Sequence, residues 1–315
     1  MKKILLVVND LITATNFRKD LMHSLNTLGH EVVVVSPSQS IFVDAAKILT
    51  DAENLSFRHI NLPLNRLSLN PFSALKYILS LRSILKLERP DIILLYTPIV
   101  VIFGSIAGKL AGIKKIYSTI TGLGYAFASN NLKAKILSWV LKILYKFSLS
   151  FNINIFFQNT DDKNYFLDHA LVAQNKSLLI NGSGVNMDEF KPSKKDDARY
   201  IFLMISRIIP EKGVREFIEA AKMVKEQYPK IIFQLLGALE DNSPSIAPEE
   251  VESWQSDGII EYISGKSDVR PFIANANIYV LPSYREGTPK SVLEAMAMGK
   301  PIITSDAPGC RETVI

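Results

Sequence analysis

The chain has 315 residues, 48% of them apolar, with one cysteine and a formal net charge of +5. That length holds two domains of ordinary size, and the apolar fraction is enough to fill two cores. The single cysteine, Cys310, excludes a disulfide framework and a cysteine-rich zinc site, and fits a reducing compartment.

Met1-Lys-Lys-Ile-Leu-Leu-Val-Val8 lacks the apolar length and the cleavage site of a secretory signal, and reads as a first strand, Ile4–Val8. A loop is expected over Asn9–Thr15, then a helix from Phe17 to Leu28 ended by Gly29, then a strand Glu31–Ser36. A helix Asp44–Thr50 and a strand Phe57–Leu62 follow, and Pro71 opens a helix to Lys86. The longest uncharged apolar run, Ile92 to Gly108, is broken by Pro98 and Gly104 and is short for a membrane span. It reads as strand Asp91–Tyr96, loop, and helix Phe103–Leu110. Strand Ile116–Thr119, helix Leu132–Phe151, strand Ile153–Phe157 and helix Asp161–His169 complete a first domain, residues 1–180. Residues 181–199, with two close glycines and then Lys191-Pro-Ser-Lys-Lys-Asp-Asp, read as a linker.

Residues 200–315 repeat the alternation. Strand Tyr200–Ile205, helix Val214–Glu226, strand Ile231–Leu236, a polar loop and strand Ile259–Ile263 come first. Helix Val269–Ala274, strand Ile278–Leu281, helix Pro289–Met298 and strand Ile302–Thr304 follow. Strands alternating with helices imply an α/β fold of two Rossmann-like parallel sheets, each covered on both faces.

Charge is uneven. Residues 1–180 carry 20 Lys and Arg against 11 Asp and Glu, a net of +9, and residues 181–315 carry 16 against 20, a net of −4. An anionic partner is therefore expected for the first half, nucleic acid or anionic membrane. Lys133, Lys135, Lys142 and Lys146 lie on one helix with Trp139, Tyr145 and many aliphatics, without an acidic residue. That is the pattern of a helix lying in a membrane interface. A core helix with snorkelling lysines has the same pattern. No nucleic-acid-binding module is recognisable, so no nucleic-acid partner is expected.

The most informative stretch is Ser283-Tyr-Arg-Glu-Gly-Thr-Pro-Lys-Ser-Val-Leu-Glu294. A buried strand precedes it and a helix follows Gly287 and Thr288, with Pro289 suited to the first turn. A helix N-terminus at a strand's carboxyl end offers N–H groups to an anion. Glu286 and Glu294 flank it, and carboxylates accept hydrogen bonds from sugar hydroxyls. Such a site suits a nucleotide sugar. On another loop, Ser206-Arg-Ile-Ile-Pro-Glu-Lys-Gly213, Arg207 and Lys212 can offset diphosphate charge.

The Glu-x7-Glu spacing within Pro-Ser-x-x-Glu-Gly, together with Arg207 and Lys212, resembles the retaining family-4 glycosyltransferases of the GT-B fold. The Leu69-Asn-Pro-Phe72 segment and the Thr121-Gly-Leu-Gly loop resemble, within that family, bacterial transferases acting on undecaprenyl-diphosphate-linked sugars. The resemblance implies two domains facing a cleft. It implies that Glu286 contacts the donor sugar, with Arg207 and Lys212 on the departing diphosphate and Glu294 on the ribose. It implies base contacts near Lys266 and Val269, and acceptor contacts at the loop holding Gly122 and Gly124. Relatives use glycines against the phosphates in the first loop, and here either Asn16 and Arg18 stand in or Phe17 and Arg18 are ordinary solvated helix residues. Asn186 replaces the usual Asp of a Gly-x-Gly-Val-Asp segment. The family's second domain runs beyond position 315, so it is expected to be incomplete here.

The expected function is retaining transfer of a hexose or N-acetylhexosamine from a UDP-sugar to a lipid-diphosphate-linked saccharide, in surface polysaccharide, O-antigen or capsule assembly. No metal and no cofactor beyond the donor are expected, and the four histidines read as structural. The expected location is cytoplasmic, peripheral on the inner face of the membrane. A UDP-sugar epimerase of the same fold and a non-catalytic sugar-nucleotide-binding subunit are the alternatives.

Overall fold

A run such as Glu31-Val-Val-Val-Val-Ser36 is apolar on both sides of the pleat, so the strand it forms needs cover on both faces. In a computed structural model of the chain, residues 1–38, 57–64, 70–123, 132–195, 198–239, 246–266 and 268–314 are described. The chain divides into two compact units, Met1–Ser183 and Gly184–Ile315.

The first unit is built on strands β1 (Lys3–Val7), β2 (Glu31–Ser36), β3 (Arg58–Asn61), β4 (Ile92–Tyr96), β5 (Ile116–Ile120), β6 (Asn154–Phe157) and β7 (Ser177–Leu179). They form one sheet in the order β3-β2-β1-β4-β5-β6-β7. Every pairing among them is parallel. Alternate residues of β1 serve different cores. Leu5 and Val7 join a cluster with Leu81, Leu95, Val101 and Tyr145, while Leu6 pairs with Leu11, Ala14 and Met22 across the sheet.

The helices are α1 (Leu11–Phe17), α2 (Lys19–Thr27), α3 (Pro71–Glu88), α4 (Pro98–Ala111), α5 (Leu132–Leu149) and α6 (Thr160–Asp168). Asn70 caps α3 by accepting from the Phe72 N–H at 3.0 Å, and Asn159 caps α6 by accepting from the Asp162 N–H at 2.7 Å. Helix α4 lies close on the sheet because Gly104 and Gly108 face Leu95, Ile93 and Ile116. A Cβ at Gly104 would stand 2.8 Å from the Leu95 side chain. Behind it a buried chain links Ser118 to Asn152 (2.7 Å) and Asn152 to Ser105 (2.8 Å), satisfying polar groups that would otherwise destabilise the core.

The second unit holds β8 (Ile201–Ile205), β9 (Ile232–Gly237), β10 (Glu261–Ser264), β11 (Ile278–Leu281) and β12 (Ile302–Thr304). Their order is β10-β9-β8-β11-β12, again all parallel. Helices α7 (Val214–Gln227), α8 (Pro248–Ser256), α9 (Arg270–Asn275) and α10 (Lys290–Ala297) connect them. In each sheet the strand order reverses beside the first strand, between β1 and β4 and between β8 and β11. Ligands of open α/β sheets bind outside the carboxyl ends of the strands at such points.

Four expectations need correction, the first being the loop before Phe103: α4 already starts at Pro98, which suits a first turn. Asn9–Thr15 is not a loop: α1 begins at Leu11, because burying Leu11 and Ala14 against β1 and β2 overrides the weak helix propensity of Ile12, Thr13 and Thr15. The single helix expected from Phe17 is interrupted at Arg18, whose φ of −128° and ψ of 4° leave the helical region. The polar loop after β9 contains α8, started by Pro248 at its first position and by the Glu250 carboxylate accepting from the Ala247 N–H. The helix expected over Asp44–Thr50 lies outside the described residues.

Candidate active site

The loops after β8 and β11 meet through backbone. The Tyr284 N–H donates to the Glu211 carbonyl at 3.0 Å, and the buried Ser283 hydroxyl donates to the same oxygen at 3.1 Å. Gly213 makes the approach feasible. Its φ is +76°, and a Cβ there would collide with the Pro282 carbonyl, so only glycine fits. Gly309 does the same from the other side, with φ +80° and its α-carbon against the Glu286 and Gly287 backbone. The Glu286 N–H donates to the Pro308 carbonyl at 2.8 Å. Three hydrogen bonds and two close glycine approaches thus fix the segment that carries Glu286.

On this frame Lys212 Nζ sits 2.5 Å from Glu286 Oε1, with both side chains largely buried. The pair joins residues 74 positions apart. Arg207, on the same loop as Lys212, is exposed. Gly287 and Pro289 are buried and Thr288 is half-buried. Pro289 is the residue before α10 rather than its first member, with φ −70° and ψ 109°. One turn into α10, Lys290 Nζ lies 3.7 Å from Glu294 Oε1. Burial pushes the Glu294 carboxyl up to about 7, against the pull of Lys290. Below the two carboxylates, the buried Tyr279 hydroxyl donates to the Ile205 carbonyl at 3.1 Å. Burial raises the Tyr279 pKa well above the phenol range, and the charges of Glu294 and Glu286 add to this. Both carboxylates therefore act on one phenol at the switch point. Cys310, fully buried behind the loop, has its thiol pushed up by burial and is a packing residue.

Next along the sheet, Tyr262 donates to the Gly237 carbonyl at 3.0 Å, which holds the ends of β9 and β10 together. Lys266 is exposed there, and Val269 is partly buried against the core at the start of α9.

In the first unit, Gly122 follows β5 with φ +128°, a conformation that favours glycine, and Gly124 lies outside the described residues. Arg18 is 5% exposed, so it is no solvated helix residue. Its guanidinium stands 4.1 Å from the centre of the Tyr96 ring and donates to the Phe17 carbonyl and the Ser183 hydroxyl. Sequence reading missed Thr97, between β4 and α4, where φ is +73°. The signal was Thr97-Pro98 at a strand end, since the residue before proline is barred from helical conformation. Among the described residues no group of three His, Cys, Asp or Glu side chains is placed to hold a metal ion.

Residues 186–315 match the model of the glycosyl transferases group 1 family, and residues 3–159 match that of the glycosyl transferase 4-like family. Over 95% of its length the chain is 33% identical to the N,N'-diacetylbacillosaminyl-diphospho-undecaprenol alpha-1,3-N-acetylgalactosaminyltransferase of Campylobacter jejuni, covering 79% of that protein. The chain belongs to the group 1 glycosyltransferases. A second relative of this transferase is the UDP-Gal:alpha-D-GlcNAc-diphosphoundecaprenol alpha-1,3-galactosyltransferase of Escherichia coli, 27% identical over 83% of the chain and 69% of the relative. Among solved structures, Anabaena HepE in complex with UDP and glucose superposes with a TM-score of 0.77 over the whole chain and 83% of HepE, at 15% identity. That likeness is one of fold, the two-sheet α/β architecture of GT-B proteins. As a glycosyltransferase, the chain is not read as an epimerase or as a subunit that only binds.

Proposed function

We propose that this glycosyltransferase moves a hexose or N-acetylhexosamine from a UDP-sugar to a saccharide carried on a lipid diphosphate, with retention of anomeric configuration. The observation that carries the reading is the Lys212–Glu286 pair at the switch point of the second sheet, on a frame that leaves Glu286 little freedom. Lys212 and Arg207 offset the charge that develops on the departing nucleoside diphosphate, the role for which preorganised cations give most. Glu286 orients Lys212 and accepts from a donor-sugar hydroxyl. Glu294 accepts from the ribose hydroxyls, with Gly287 and Thr288 beside the phosphates and Val269 and Lys266 near the base. The leaving phosphate takes the acceptor proton. No metal and no cofactor beyond the donor take part. The names of the two relatives, both of which specify a diphospho-undecaprenol-linked sugar, support the lipid-linked acceptor; the pathway we propose for it is assembly of a surface polysaccharide.

The first unit would meet the membrane that carries the acceptor. Helix α5 is apolar inside and out: Leu141 and Tyr145 are buried, while Ile136, Trp139, Ile143 and Phe147 are at least half exposed. Lys135 and Lys146 are exposed on the same helix. A helix with an apolar and basic outer face suits an anionic lipid surface. No helix among the described residues is long and apolar enough to cross a membrane, so contact would be peripheral, on the cytoplasmic face.

Tritiated UDP-sugars offered with a membrane extract containing lipid-linked acceptors test the reading. Label should enter the butanol phase with wild-type protein, survive EDTA, and be absent with Glu286→Ala. Label that stays aqueous for every UDP-sugar, with folded wild-type protein, would refute it. For the membrane contact, Trp139→Glu with Ile143→Glu should abolish sedimentation with phosphatidylglycerol vesicles.

A further inference from the structure

Helix α10 carries its charges against the preference of a helix. Acidic side chains are favoured in a first turn and basic ones in a last, because free N–H groups make the start positive and free carbonyls make the end negative. The first turn of α10 holds no acidic residue, and its first residue is Lys290. Glu294 follows four positions later, and Lys before Glu at that spacing stabilises a helix less than Glu before Lys. Neither side chain is well solvated: 18% of Lys290 and 12% of Glu294 is exposed. Two largely desolvated charges in the less favourable order add little to the stability of α10. Sequences break such local rules where a functional site needs them broken.

What the arrangement does supply is a cation 3.7 Å from the Glu294 carboxylate. Burial pushes that carboxyl up to about 7, and Lys290 opposes the rise by its charge and by hydrogen bonding. Among the described residues, Glu294 is faced by Lys290 on its own helix and by Tyr279 on β11, with Glu286, itself paired to Lys212, acting on the same phenol. The Tyr279 hydroxyl is buried, donates to the Ile205 carbonyl and also meets the Ser291 side chain, so it stays protonated. The other strand against α10, β12, is Ile302-Ile-Thr304 and brings no titratable group. Among the described residues, Lys290 is therefore the group whose charge favours ionised Glu294. Without it the carboxyl would be mainly protonated at neutral pH, and a protonated carboxyl has less acceptor capacity for hydroxyl groups.

We propose that Lys290 is a positioning residue: it keeps Glu294 ionised and aimed, so that the donor's ribose is held by a carboxylate at neutral pH. This rests on the transferase reading above, in which Glu294 takes the ribose hydroxyls.

The test uses the full chain as wild type, Lys290→Gln, Lys290→Arg and Glu294→Gln, each checked for an unchanged far-ultraviolet circular-dichroism spectrum. Carboxyl NMR of isotope-labelled glutamate follows Glu294 through a pH titration, its signal identified by its loss in Glu294→Gln. The midpoint should rise by about 1 pH unit in Lys290→Gln, the lower end of what an adjacent opposite charge supplies, and return in Lys290→Arg. An unmoved midpoint would overturn the proposal. This readout needs neither nucleotide nor turnover, so its failure is distinct from failure of the transfer reading. Calorimetric titration with UDP then reads the consequence. At about pH 7 such a rise cuts the ionised fraction about fivefold, so UDP affinity in Lys290→Gln should fall by about that factor and recover as pH rises. An equal loss at every pH would overturn the proposal, since Lys290 would then be touching UDP itself. A midpoint that moves while UDP affinity stays level with pH would overturn the ribose assignment of Glu294, and with it the role given to Lys290.

Discussion

The two sheets reverse strand order in the same way, yet they treat positive charge at that point oppositely. In the second unit Lys212 is paired with Glu286 and Lys290 faces Glu294. In the first, Arg18 is buried more deeply and faces an aromatic ring instead of a carboxylate. A paired lysine is stable without ligand and can exchange its partner for a phosphate when one arrives. Arg18 meets no carboxylate among the described residues, and the Tyr96 face, the Phe17 carbonyl and the Ser183 hydroxyl offset its burial there. One cation is thus held by a counter-charge, the other by dipoles and an aromatic face.

The largest effect expected is at the compensated end. Glu286→Ala should lower kcat by about 10² to 10³, the scale of losing one preorganised electrostatic contact, with the far-ultraviolet circular-dichroism spectrum of the folded protein unchanged and the melt lowered, because Lys212 is left buried without its partner. A loss in KM alone would mean that Glu286 binds without taking part in the transfer step. Next, Gly213→Ala should destabilise the chain by about 3 kcal/mol, since the new Cβ meets the Pro282 carbonyl at positive φ. Urea unfolding measures this. A neutral result would show that the two loops move apart freely, and the frame on which the pairing depends would be lost.

A smaller effect should separate the two carboxylates. Glu294 ionises at about 7, and its ionised form accepts hydroxyl hydrogen bonds more strongly. UDP affinity should therefore rise as pH rises through about 7, and Glu294→Gln should flatten that dependence in calorimetric titration. The same group makes the empty protein less stable as pH rises. Its pKa is raised on folding, so the folded state holds the proton more tightly, and this contribution is full below the unfolded value of 4.5 and lost through about 7. The smallest effect serves as a control: Arg215 and Glu250 form an ion pair at 2.8 Å with both side chains exposed. Arg215→Ala should cost less than about 1 kcal/mol in thermal melting. A large loss there would mean that exposed pairs matter as much as the Lys212–Glu286 pair.

Strands were legible wherever burial on both faces forces a β-branched run between punctuating residues. Glu31–Ser36, Ile278–Leu281 and Ile302–Thr304 read from sequence with the bounds they have in the fold. Helix α1 was not legible, because its stability comes from Leu11 and Ala14 meeting β1 and β2, contacts that no local pattern announces. Nor was α8, although Ala247-Pro-Glu-Glu carried a helix-start signature of proline followed by acidic residues. At the candidate site, Glu286, Glu294, Arg207 and Lys212 could each be singled out by residue type and loop position. That Lys212 reaches Glu286 could not, since the two are 74 positions apart and their meeting depends on the order of β8 and β11. Arg18 was open to either reading, because a guanidinium in a polar helical pattern looks solvated until the Tyr96 ring and Ser183 are seen to enclose it.

The tight seat of Gly309 under the Glu286–Gly287 backbone also tells an engineer where not to look. A library that varied residues 282–289 or 308–309 to change the sugar donor would spend most of its members on proteins that do not assemble the loop. Lys266, exposed after β10, and Val269, half-covered at the start of α9, have no such seat. Diversity placed at those two positions, which we propose lie near the nucleotide base, would leave the Glu286 loop in register.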